Sequence, residues 1–293
     1  MGAASSRDSS ALEILEMVRN NKICDRCLAA VIFVLLAVAP LSICAQDADV
    51  SDAADETALD MDSVGADTNP MNPVAFSVRD DFYKVSGEAW KNAVIFRYDQ
   101  LILEHADLFG HQKGIILRGE VPLVSTHSNG TTRTGLGDLY GQALLIRATE
   151  GPFVFAFGTG LVFPTATGDT LGRGKWIIAP ALVPALFFPH QGYAYVKVQD
   201  WISFAGDSGR PDVHYLTVTP TFLWRVAKAW WMLVDGESYT DWEMNDQTSF
   251  KAGFLIGHML TPTIGVSLKA EFPFGGHRQG DWILKAVLFL TRY

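Results

Sequence analysis

Cysteine is almost missing from this chain: Cys24, Cys27 and Cys44 are the only three in 293 residues. A disulfide framework or thiolate metal centre therefore cannot organise anything beyond position 44. Cys24 and Cys27 make a C-x-x-C pair, but without a second pair or a surrounding βαβ pattern the spacing carries neither zinc nor redox chemistry. A long hydrophobic run is missing too. Leu28 to Ala39 is apolar but too short for a spanning helix, which needs about 20 residues. An excess of basic charge is likewise absent. The net charge is -9, and without a basic stripe to neutralise phosphates a nucleic-acid partner is excluded.

Leu28 to Ala39 fits the apolar core of a secretory signal, preceded by Arg19, Lys22 and Arg26 and followed by a cleavage site after Ala45. Residues 1–45 are therefore expected to be a signal peptide, and a start at Met17 would give it a compact, net positive leading region. The acidity is just as localised. Residues 46 to 70 carry eight carboxylates and no Lys or Arg, which leaves the body of the chain nearly neutral. Lacking apolar periodicity, residues 46–72 read as a solvated acidic linker. Residues 73–293 remain for the folded domain.

That domain alternates with a period of two. Ile264, Val266, Leu268, Ala270, Phe272 and Phe274 fall on one side of an extended strand, while Thr263, Ser267, Lys269 and Glu271 fall on the other. Val94, Phe96 and Tyr98 oppose Arg97 and Asp99; Ile115, Leu117, Val121 and Leu123 oppose Arg118 and Glu120. The segments at 214–224 and 230–242 repeat the pattern, and no segment reads as a helix able to cover the apolar faces. Lipid can cover them. The expected fold is an all-β antiparallel transmembrane barrel of about 12 strands.

Connection lengths point the same way. Residues 126–136, 165–175, 205–212, 240–248 and 275–280 read as long links, alternating with short ones at 149–151, 188–191, 227–229 and 261–262. Outer-membrane barrels have short periplasmic turns and longer external loops. With Phe76 to Lys84 as the first strand the count is twelve and both ends of the domain share the short-turn side; only Glu104 to Lys113 is long where the rule expects short. Trp176, Trp201, Trp224, Trp230, Trp242 and Trp282 fall near strand ends, where such rings form interfacial girdles. Pro180 and Pro184 are awkward inside a strand and would mark a bulge or shorten it. In the last strand Leu284, Leu288 and Leu290 oppose Val287 and Phe289, and alternation leaves open which set meets lipid.

No motif carries covalent chemistry. The seven histidines lack H-E-x-x-H spacing, and no G-x-S-x-G is present. A lipid hydrolase would need a serine and a histidine presented together, for instance Ser267 and His258 on neighbouring strands. No catalytic, cofactor or metal residue is assigned. The candidate functional set is the charged face expected to line a wet lumen: Arg97, Asp99, Arg118, Glu120, Lys197, Asp235, Glu237, Lys251, Lys269 and Glu271. Such charges either tune what passes or bridge one another and hold a narrow barrel shut.

The order Asn72-Pro73-Val74, Gly135-Leu136-Gly137-Asp138, Phe163-Pro164-Thr165-Ala166-Thr167-Gly168-Asp169 and Leu171-Gly172-Arg173-Gly174-Lys175-Trp176 resembles bacterial outer-membrane proteins of the "MetA-pathway of phenol degradation" transporter family. The resemblance covers roughly residues 70–293. It implies an outer-membrane barrel that passes small, often aromatic or hydrophobic, compounds. The resulting expectation is a channel or transporter without cofactor. Its partners would be outer-membrane lipid, a small-molecule solute and the outer-membrane assembly machinery, the last expected from the aromatic C-terminal residue. A closed structural or surface-interaction barrel is the alternative.

Overall fold

The structure is a computed structural model that describes residues 74–291, apart from 104–111, 150, 189–190, 277 and 279. The expected signal peptide, the acidic linker, Tyr293 and most of the Glu104 to Lys113 link lie outside the described residues.

Thirteen strands follow one another: β1 (Val74–Ser86), β2 (Ala89–Ile102), β3 (Gln112–Ser128), β4 (Thr131–Leu136), β5 (Leu139–Ala148), β6 (Phe153–Phe163), β7 (Lys175–Phe188), β8 (Gly192–Gly206), β9 (His214–Ala227), β10 (Trp230–Asp241), β11 (Gln247–Met259), β12 (Ile264–Gly275) and β13 (Trp282–Thr291). Every pairing is antiparallel, between chain neighbours except for β3 with β5, and β1 pairs with β13 to close the ring. β3 pairs with β4 through Leu123–Ser128 and with β5 through Gln112–Glu120, so β4 and β5 are two lengths of one stave interrupted at Gly137 and Asp138. The result is a closed 12-strand antiparallel barrel. Closure removes every sheet edge, the condition for exposing strands to lipid.

The period-two pattern orients the staves as expected. Phe272, Val234 and Leu117 face outward at 58, 55 and 41% exposure, while Glu271, Asp235 and Arg118 on the same strands face inward. The last strand resolves its ambiguity: Leu288 and Leu290 are exposed and Phe289 is fully buried, so the leucine face points out. Of the expected girdle tryptophans, Trp224, Trp230 and Trp242 lie on the outer wall near strand ends. Trp282 joins Phe82 and the unanticipated Trp90 in a ring cluster. Trp201 does not belong with them. It points inward and stacks on Tyr215.

Two further expectations are corrected. Residues 126–136 are not a loop: β3 runs to Ser128, and Asn129 (φ 50°) with Gly130 (φ 72°) makes a two-residue turn into β4, the backbone that Asn-Gly favours in a hairpin. Pro180 and Pro184 neither shorten β7 nor bulge it. They occupy outward positions where the β7–β8 ladder skips a step, and the bulge lies at Trp176/Ile177.

Candidate solute pathway

At the short-turn end the interior is packed with oil. Val74, Tyr193, Leu223, Trp231, Leu233, Leu255, Met259 and Phe289 form one buried cluster, and Ile116, Ile146, Ala156, Val183 and Ala185 form another beside it. Trp231 and Phe289 meet edge to face at 6.0 Å, and both are completely buried. Two inward glycines make this possible. A Cβ on Gly257 would lie 2.1 Å from the Trp231 ring, and one on Gly265 would lie 2.2 Å from Phe289, so only hydrogen leaves these rings room to lie flat. These side chains make an apolar floor that alternation alone did not reveal. Sequence patterning showed the inward face as charged because the charges concentrate above this level.

Above the floor the inward charges form neutral groups. The Asp99 carboxylate, fully buried, accepts from Arg97 Nε at 3.0 Å and from Arg118 through two parallel bonds at 3.0 and 3.1 Å. Glu120 stands directly across from Arg97 in the β2–β3 register. Farther round the same side of the ring, past β1 and β13, Glu271, 1% exposed, receives Lys251 at 3.2 Å, Lys269 at 2.7 Å and Lys285 at 2.9 Å. Lys251 also reaches Glu237 at 3.1 Å, and Lys269 contacts Asp235. Burial makes each pair mutually dependent, since removing one partner strands the other in a poorly solvated site. Of the ten charged residues proposed from sequence, eight are therefore tied into two ion networks, with Glu120 beside the first and Lys197 lying between. Sequence reasoning missed Lys285 and the Arg79–Asp81 pair, at 2.9 Å. Lys285 has the same parity as buried Phe289, so resolving the last strand's faces would have found it.

Between the networks lies a cavity of about 520 Å³ lined from both sides of the barrel, by Arg79, Arg97, Arg118 and Glu120 on one and Lys197, Trp201 and Glu237 on the other. A smaller cavity of about 230 Å³ continues it toward the long-loop end, sharing Lys197, Trp201, Thr219 and Glu237.

The link 164–174 folds into the mouth instead of standing away from it. Asp138, in the break between β4 and β5, accepts from the backbone N–H of Ala166 at 3.1 Å and of Arg173 at 2.5 Å. Thr167 N–H donates to the Leu136 carbonyl at 3.0 Å, and Leu139 N–H donates to Thr165 Oγ1 at 2.9 Å. Leu171 is buried against Ala93 and Val124. Arg210 from the next long link holds the outer side through the Asp169 carbonyl at 2.7 Å and its carboxylate at 3.0 Å. Gly135-Leu136-Gly137-Asp138 thus interrupts a stave so that the loop can dock, and Arg173 lies over the Tyr215 ring at 5.4 Å.

The hydrolase pairing does not form. Ser267 sits opposite Gly257 and His258 opposite Val266, so Ser267 points into the barrel while His258 points out, stacked on Trp230 at 4.2 Å. Among the described residues no cluster of His, Cys, Asp and Glu could hold a metal ion.

No protein-family model matches the chain, and no curated sequence relative does. Solved structures share the fold at low identity. The COG4313 outer membrane channel from Pseudomonas putida F1 is similar over 74% of this chain and 96% of its own, at 12% identity and a TM-score of 0.58. The NanC porin is similar over 74% of this chain and all of its own, at 10% identity and a TM-score of 0.53. The fold is thus that of outer-membrane channel and porin barrels.

Proposed function

We propose that the protein resides in the bacterial outer membrane and is a channel for passive passage of small solutes, with no cofactor and no covalent step. The observation that carries this reading is the inside-out dressing of the barrel: apolar rings on the wall around a charged, cavity-bearing interior. Lipid is the solvent for the outer face and water for the inner one. The channel and the porin that share its fold support the same reading. The ten charged residues set from Arg97 to Glu271 would line the path or fix its walls, and Lys197, Glu120 and Glu237 face the open space. The finer resemblance, to transporters of the phenol-degradation MetA type, would place small aromatic compounds among the solutes. The inward rings of Tyr140, Trp201, Tyr215 and Tyr239 favour it.

A second reading, a barrel closed at rest, is favoured by the apolar floor around Trp231. The test is conductance of the folded protein in planar bilayers, together with liposome uptake. Discrete openings support the channel; silence and no uptake from correctly folded protein would leave the closed barrel.

A further inference from the structure

Among the inward cations, Lys197 and Arg173 come to the same place. Arg97 and Arg118 are matched by Asp99, Arg79 by Asp81, and Lys251, Lys269 and Lys285 by Asp235, Glu237 and Glu271. Lys197 and Arg173 have no carboxylate within ion-pair distance among the described residues, and both line the 230 Å³ cavity. The carboxylate in its lining, Glu237, is already engaged, as are Asp241 and Asp138. Glu237 holds Lys251, Asp241 accepts from the Tyr239 hydroxyl at 3.0 Å and the Glu243 amide at 3.1 Å, and Asp138 accepts from two backbone amides.

Three rings, Trp201, Tyr215 and Tyr239, share the remaining wall with Gln199, Thr217, Thr219 and Glu237. Tyr140 and Trp201 lie 5.8 Å apart, Trp201 and Tyr215 5.7 Å, and Tyr215 and Tyr239 4.5 Å, forming a continuous row of rings beside the two cations. Rings in such a row accept a flat partner by offset or edge contacts at centroid separations of about 4.5–7 Å. A half-buried ammonium and a guanidinium offer charge-assisted hydrogen bonds to a carboxylate. The volume is below the roughly 300–1,000 Å³ of drug-sized sites, so the occupant is small.

We infer that this cavity is a binding subsite for a single-ring aromatic carboxylate, its carboxylate between Lys197 and Arg173 and its ring against Trp201 and Tyr215. The inference rests on the channel reading and deepens it, since a subsite below the docked loop is the first selective station on an inward path. Lys197 selects the anion. The ring row selects flatness over a saturated or hydroxylated ring of equal charge.

Isothermal titration of detergent-folded protein with benzoate, benzamide and galacturonate tests the subsite directly, and block of single-channel current by benzoate tests it in place. Benzoate should bind, benzamide and galacturonate should bind at least about tenfold more weakly, and Lys197→Met and Arg173→Gln should each weaken benzoate by about tenfold. Lys197→Met strands no ion-paired carboxylate, so its fold, checked by gel mobility before and after heating, should survive. Equal benzoate affinity in the variants, or equal affinity for galacturonate, overturns the assignment. Conductance without benzoate binding overturns the subsite and leaves the channel standing; benzoate binding without conductance does the reverse.

Discussion

Asp138 holds Arg173 by the backbone, accepting its N–H at 2.5 Å, while the guanidinium of Arg173 rests on Tyr215 across the mouth. One carboxylate in a broken stave thereby positions both a loop and the cation at its C-terminal end. Asp138→Ala removes two hydrogen bonds to a charged acceptor, each worth about 1.5–3 kcal/mol when shielded and toward the lower end at this partly exposed site. The loop should then dock only part of the time. Mean single-channel conductance should rise, and Asp138→Asn, which keeps one acceptor oxygen, should fall between. Unchanged conductance in Asp138→Ala would show that the docked loop does not limit passage.

The barrel, its strand count and the inward direction of the charges were legible because lipid and water impose opposite demands on alternate residues. That constraint is written at every second position, so Leu268 against Lys269 suffices to orient a stave. The floor was not legible. Trp231, Leu233, Leu255 and Phe289 are apolar on the inward face, where alternation stops discriminating and only three-dimensional packing against Gly257 and Gly265 explains them. The docked loop was hidden for a related reason: Asp138 makes contacts to Ala166 and Arg173 that are remote in sequence and involve backbone amides, which leave no side-chain signature.

Glu271 draws Lys251, Lys269 and Lys285 to one buried carboxylate. Glu271→Gln leaves three ammonium groups facing Asp235 and Glu237 alone, and loss of one member of a buried ion group costs about 3–5 kcal/mol. The temperature at which the folded band converts on a gel should fall markedly. In a salt gradient the reversal potential should also move toward anion preference, because one fixed negative charge is gone. Adding Lys285→Met should recover part of both, since it removes a cation the first change stranded. A double variant no better than the single would place the energy elsewhere in the network.

Acid should act first at the long-loop end. Asp212, in the link between β8 and β9, accepts from Lys175 Nζ at 2.8 Å, and that hydrogen bond, with the charge behind it, holds the carboxyl below its ordinary 3.8. A depressed carboxyl pKa adds stability above the unfolded value and loses it as pH falls through the folded one. Amide exchange in residues 207–213, corrected for intrinsic rates, should therefore be flat from about pH 8 to pH 5 and should quicken only below about pH 4. Asp212→Asn should show the fast behaviour already at neutral pH. Equal exchange in variant and parent would mean that backbone bonds such as Asp207 N–H to the Gly174 carbonyl, at 3.0 Å, anchor the link unaided.

Trp231 is the group whose removal tests whether the floor is a gate. It is wholly buried at the short-turn end, edge-on to Phe289, with Gly257 beneath its ring. Trp231→Ala deletes the largest side chain of the cluster, and a Trp-to-Ala change in a core costs about 3–5 kcal/mol. The closed ladder on both flanks, to β9 and to β11, keeps the stave in place despite that loss. The vacated space lies where the path would leave the barrel, so water can enter it from the short-turn side. Conductance and liposome swelling should both increase, whereas Trp230→Ala, one residue away on the lipid-facing wall, should change neither. If Trp231→Ala folds and conducts no better than the parent, the obstruction lies at the docked loop or among the ion networks above, and the floor is a structural core.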